Sequence, residues 1–150
     1  MAQTLVSLLL HVIFSTKNRE GLITPEIEPS LYAYLGGISK NHESKLLASG
    51  GTSNYVHLLI SQSKNMALSD LVEEPKKSSS VWIKTQGREF ASFHWQDGYA
   101  AFSIEESQVP AVKAYLAKQK EHHARKTFQE ELIEFLEKYG VEYNENYLWS

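Results

Sequence analysis

A chain of 150 residues and 17.1 kDa is one domain's worth of polypeptide, residues 1–150, long enough to close a core of its own. Its 42% hydrophobic and 22% charged residues are the balance of an ordinary globular protein, and the absence of cysteine excludes disulfides and thiolate metal sites. A formal net charge of −3 argues against a protein that coats nucleic acid non-specifically. The longest apolar run, Leu5 to Phe14, is interrupted by Ser7 and His11 and is too short to span a bilayer. It also lacks a basic leader and a cleavage site, so a cytoplasmic protein without a membrane partner is expected.

In chain order, Leu5 to Thr16 reads as a central strand, followed by the basic residues Lys17 and Arg19. Thr24-Pro25-Glu26 has the form of a helix start, and the helix should run to about Asn41 with Leu31, Tyr34, Leu35 and Ile38 on one stripe. Lys45 to Ala48 begins a second strand, Gly50-Gly51 turns or bulges it, and Tyr55 to Gln62 forms the third. A second helix starts near Ala67 and should stop or kink at Pro75, leaving Lys76 to Ser80 as a loop or a new helical piece. Phe93 to Ile104 is the fourth strand, with a turn or bulge at Asp97-Gly98.

Two capping-box patterns, Ser103 with Glu106 and Thr127 with Glu130, predict a helix reaching about His123 and a last helix over Phe128 to Tyr139, closed by Gly140. The glutamates from Glu130 to Glu145 read as a solvated face. The order β-α-β-β-α-β-α-α is α+β. Its first six elements have the ferredoxin-like, RRM-like arrangement: a four-stranded antiparallel sheet with helices on one face, here followed by two C-terminal helices.

Two polar features interrupt this apolar pattern. His57 lies inside the third strand, sharing a face with Tyr55 and Leu59, and a buried imidazole requires a partner. On the fifth element, Tyr115 and Gln119 are four residues apart and share a helical face with His122, flanked by Lys113, Lys118 and Lys120. His122 and His123 are neighbours on a helix and diverge by about 100°, so both cannot easily face one ion. Trp82 and Trp95 suit packing better than base stacking, and Tyr143, Tyr147 and Trp149 should dock the tail.

Five blocks taken together carry a family likeness: H-V-I-F-S-T-K (11–17), G-G-T-S-N-Y-V-H-L-L (50–59), S-S-S-V-W-I (78–83), Y-L-A-K-Q-K-E-H-H (115–123), and T-F-Q-E-E-L with Y-N-E-N-Y-L-W (127–149). The chain resembles the single-tyrosine HUH transposases, the insertion-sequence and REP-associated enzymes that act on single-stranded DNA. That resemblance implies a homodimer, hairpin DNA as partner, and Tyr115 as the nucleophile that forms a 5′-phosphotyrosine. It implies a divalent cation, magnesium or manganese, held by His57 and Gln119. The tyrosine helix of one subunit can complete its partner's site in such dimers. Lys17, Arg19, Lys76, Lys77, Ser78 and Lys118 are the expected DNA contacts.

The sequence departs from the family pattern at one telling position. His, bulky apolar, His is expected, but the chain has Tyr55-Val56-His57, and a neutral phenol is a poor ligand for a hard cation. Three outcomes follow: weak catalysis around His57, Gln119 and water; hairpin binding by an inactive or domesticated protein; or substitution by His122, His123 or Asn54. On this reading, Tyr55→His would restore metal binding.

Overall fold

The two central strands of the sheet are buried on both sides, and that is why the first strand reads as an almost unbroken apolar run. In the computed structural model, which describes residues 2–149, the strands are β1 (Leu9–Ser15), β2 (Lys45–Gly51), β3 (Tyr55–Ser61) and β4 (Ala100–Ile104). They lie in the order β2-β3-β1-β4, with every neighbouring pair antiparallel. Helix α1 (Glu28–Asn41) connects β1 to β2, and α2 (Leu68–Lys84) connects β3 to β4. This is the expected ferredoxin-like topology.

On the first face Val12, Phe14, Val56, Leu58 and Ile60 meet Leu31 and Leu35 of α1 and Leu71, Val72 and Ile83 of α2. The second face is closed by the C-terminal part of the chain. There Leu9, Leu59 and Ile104 pack on Leu116 of α3 (Val109–Ala117), while Ile13, Tyr55 and Phe102 pack on Phe128, Leu132 and Leu136 of α5 (Phe128–Lys138). Between them runs the short α4 (Gln119–His123), and α6 (Glu145–Leu148) ends the chain. No helix among the described residues is long and apolar enough to cross a membrane.

Several boundaries differ from the sequence reading for identifiable reasons. β1 begins at Leu9, and Leu5, Val6 and Leu8 ahead of it are exposed. Thr24 caps a turn, its hydroxyl accepting from the Ile27 amide at 3.3 Å, and α1 starts with Pro29 in its first turn. α2 continues through Pro75. The ring removes one backbone donor, but Leu71, Val72, Pro75, Ser79 and Ile83 form a continuous buried stripe whose packing outweighs that loss. Residues 76–80 are therefore helical.

β4 is shorter than its apolar pattern, because Trp95 makes only an isolated bridge to Thr16 before the turn at Gly98, where φ is 83°. The capping box ahead of α3 is formed by Glu105 and Gln108. α3 stops at Ala117, where Lys118 leaves helical geometry at φ −107° and ψ 19°. The capping box of Thr127 and Glu130 forms as expected.

Gly50 fixes how α3 sits on the sheet. A Cβ there would fall inside the van der Waals radius of the Leu116 carbonyl oxygen, a backbone atom that cannot rotate away. Gly50→Ala is therefore expected to lower stability by about 2–3 kcal/mol, the cost of overpacking a rigid contact. A urea midpoint equal to wild type would show that α3 slides freely over β2.

Candidate active site

Register places two histidines together. Ile13 pairs with His57 and His11 with Leu59, so His11 on β1 and His57 on β3 are diagonal neighbours on the second face. The His11 Nε2 and His57 Nδ1 atoms are 2.7 Å apart, and both rings are almost wholly buried. His57 Nε2 is 2.6 Å from Oε1 of Glu131, on the first turn and a half of α5. The other carboxylate oxygen, Oε2, accepts a short hydrogen bond from the Tyr115 hydroxyl. A carboxylate only accepts, so His57 carries a proton on Nε2; its Nδ1 can then accept from His11 Nε2–H. The result is a chain from His11 through His57 and Glu131 to Tyr115, drawn from two strands and two helices.

Packing holds each member in place. The Tyr115 ring stacks on His122 with centroids 4.4 Å apart and meets Phe135 edge-on at 5.7 Å. His11 meets Phe135 edge-on at 5.1 Å. Burial, assisted by the electrostatic interaction with His57, pushes the His11 pKa down to about 3. Burial also lifts the Tyr115 phenol well above its ordinary value, and the Glu131 hydrogen bond adds to the rise. For Glu131, burial acts upward but is outweighed by its interactions with His57 and Tyr115, which hold the carboxyl below the usual range.

Tyr115, Glu131 and His11 line a cleft of about 550 Å³ between α3 and α5. Arg125, Lys126, Glu134 and Lys138 also line it. Lys126 is paired with Glu134 at 2.6 Å.

The other expected site residues fall into three groups. Gln119, on α4, is 1% exposed, and neither atom of its amide has a hydrogen-bond partner among the described residues. His123 approaches Tyr55, with ring centroids 5.7 Å apart, and so faces a different ring from His122. Asn54 is tied into the turn before β3 by Thr52 and the Arg19 carbonyl. Lys118 is exposed at the break between α3 and α4, and Lys17 is exposed at the end of β1. Arg19 lies over the Trp149 ring at 5.7 Å.

Lys76 corrects the sequence reading. It is buried, and its ammonium donates to the carbonyls of Gln96 and Gly98 at 2.8 and 2.7 Å, so it braces the loop before β4 and is not free for phosphate. Lys77 and Ser78 follow it on α2, the helix that covers the opposite face of the sheet from Tyr115. Trp95 is a packing residue, bonded through Nε1 to Ser79 at 3.0 Å, and Trp82 stacks on Tyr34.

Sequence reasoning gave no role to His11 and took Glu131 for part of a solvated face. Both carried a signal. His11 has the same strand parity as Leu9 and Ile13, on a strand apolar throughout. Glu131 falls three after Phe128 and four before Phe135, inside the inward stripe of α5.

The donor set does not fit the divalent cation that the resemblance implies. Both His57 nitrogens are engaged, and the neighbouring position is a phenol that burial keeps protonated. Among the described residues no group of three or more His, Asp or Glu side chains is placed to hold a metal. Tyr55→His alone is therefore expected to leave a manganese titration unchanged, since Glu131 would still occupy His57. It should also lower stability by about 2 kcal/mol by thinning the contact with Phe128, now at 4.9 Å between centroids. A tenfold gain in manganese affinity would show that Glu131 yields His57 to the ion.

A sheet of this topology, with Tyr115 on a covering helix beside His57 on a strand, is the arrangement expected of the transposases that the sequence resembles. The chain belongs to the IS200-like transposase family: the family described as "Transposase IS200 like" matches residues 4–119. Among solved structures, a candidate transposase from Deinococcus radiodurans is similar over 79% of this chain and 95% of its own, with 21% identity and a TM-score of 0.62. A REP-associated tyrosine transposase bound to a REP hairpin is similar over 79% of this chain and 70% of its own, with 11% identity and a TM-score of 0.57. At these identities the likeness is one of fold. No match is found among curated proteins.

Proposed function

We propose that this transposase-family chain binds single-stranded DNA folded as a hairpin and cleaves and rejoins it through Tyr115. The observation that carries the reading is the placement of the Tyr115 hydroxyl beside the His57–Glu131 pair at a cation-lined cleft, within one chain. Attack of Tyr115 Oη on a phosphodiester would form a 5′-phosphotyrosine and release a 3′ hydroxyl, conserving the bond for rejoining. Arg125, Lys126 and Lys138 would neutralise backbone phosphates on entry. Stacking on His122 would fix the phenol for in-line approach.

The tyrosine and histidine reach one another in a single chain, so a partner subunit's helix is not needed to assemble this pair. The test is incubation with 5′- and 3′-labelled hairpin single strands, with magnesium, with manganese and with chelator, followed by mapping of any covalent adduct by mass spectrometry. An adduct on Tyr115 supports the reading. Salt-dependent hairpin binding without an adduct would instead mark a DNA-binding protein of the same fold, and absence of binding would overturn both.

A further inference from the structure

We propose that Glu131 is the proton acceptor for the Tyr115 nucleophile, aligned by His57 and His11, in place of the cation that the family resemblance implies. The proposal rests on the assignment of Tyr115 as nucleophile and adds the group that activates it. Glu131 lies beyond the residues that match the family, 4–119. It is 3% exposed on the inward stripe of α5, where an apolar residue would continue the packing of Phe128 and Leu132. A buried carboxylate costs several kcal/mol of desolvation unless well partnered, and both oxygens here are committed.

The arrangement has the three parts an activated nucleophile needs: the attacking hydroxyl, a base bonded to it, and a third group orienting the base. Tyr115 is only half-buried and lines the cleft, so a phosphate can approach Oη from the side away from Glu131. A carboxylate cannot deprotonate a resting phenol to any extent, but it need not. As the Oη–P bond forms, the hydroxyl becomes acidic, and its proton moves to Glu131 Oε2 in the same step. The P–O3′ bond breaks, and the 3′ oxygen takes that proton from Glu131 through water in the open cleft, which leaves Glu131 a carboxylate again. In the return step a 3′ hydroxyl attacks the phosphotyrosine and gives its proton through the same water to Glu131, which passes it to the departing Tyr115 Oη. Phosphorus keeps its charge throughout, and the net change is movement of one proton from phenol to alcohol. His57 and His11 are positioning residues that hold the carboxylate through Oε1.

The test uses the full chain and a probe independent of DNA. Diisopropyl fluorophosphate can phosphorylate an activated tyrosine with loss of fluoride, and the exposed Tyr147 supplies an internal reference. Wild-type Tyr115 should react faster than Tyr147, with a rate nearly flat from neutral to mildly alkaline pH. Glu131→Gln keeps the shape and should react about 10²-fold to 10⁴-fold more slowly, the usual range for loss of general-base help. Its rate should then climb with pH as free hydroxide takes over. His57→Gln, which can still donate to Oε1, should retain most of the rate, and His57→Ala should not.

Circular dichroism and thermal melts check that each variant is folded. Labelling of Glu131→Gln at the wild-type rate or faster overturns the proposal, the faster result marking Glu131 as an obstruction. A wild-type Tyr115 no more reactive than Tyr147 also overturns it. Normal labelling without any DNA adduct would sink the strand-transfer reading and leave the role of Glu131 standing.

Discussion

Tyr115→Phe is expected to abolish covalent capture of DNA, a loss of about 10⁴-fold or more, while hairpin affinity stays within a few-fold of wild type. The substitution removes the only atom that would bond to phosphorus. It keeps the ring that stacks on His122 and meets Phe135 and His57 edge-on. What the fold loses is one hydrogen bond to Glu131 Oε2, on the cleft side where water can replace the hydroxyl, so the cost should be about 1 kcal/mol. Those two numbers separate chemistry from structure. A variant that still forms an adduct would place the nucleophile elsewhere, and the half-buried Tyr139, on the same cleft, would be the next residue to map. A variant that no longer binds hairpin DNA would mean that the Tyr115 hydroxyl reads the substrate.

Much of this geometry was legible in the sequence because strand parity and helical spacing are local. Tyr55, His57 and Leu59 share a face as alternation requires, and Tyr115 and Gln119 both come to the sheet from one stripe. The break at Lys118 changes the helix axis between them without turning either away from the sheet, since both remain packed inward. What lay outside local reasoning was register between distant segments. His11 and His57 are 46 positions apart, and His57 and Glu131 are 74 apart; only strand pairing and the docking of α5 bring them into contact.

Composition misled in the same way at Glu131 and at Lys76. Each sits in a run of charges that reads as solvent-facing, and each is a buried charge with named partners. The clue available in both cases was position within an apolar stripe. Pro75 shows the converse, since a strong local breaker yielded to a stripe that packs on both sides of it.

Acid should destabilise the fold earlier than its carboxylates alone would predict. His11 is 2% exposed, and its pKa falls from the ordinary value of 6.5 to about 3, first through burial and then through its interaction with His57; Glu131 opposes the shift and Lys138 adds to it. The folded state therefore refuses a proton that the unfolded chain accepts. Stability from a neutral His11 is fully present above pH 6.5 and is lost as pH falls toward 3. The slope is about 1.4 kcal/mol per pH unit, and the whole window amounts to roughly 5 kcal/mol, a large share of the 5–15 kcal/mol typical of a domain. Glu131, with its carboxyl held below the ordinary value of 4.5, adds a second loss that begins only beneath that value. Urea unfolding at half-unit steps from pH 7 to 4 should thus show a steady decline that steepens at the acid end. His11→Gln should flatten the upper part of that decline while leaving the acid end in place, because its amide can still donate to His57 without titrating. A wild-type curve level between pH 6.5 and 4.5 would mean that the buried imidazole of His11 accepts its proton in the folded state, and the relay running from it to Tyr115 could not have the polarity assigned to it.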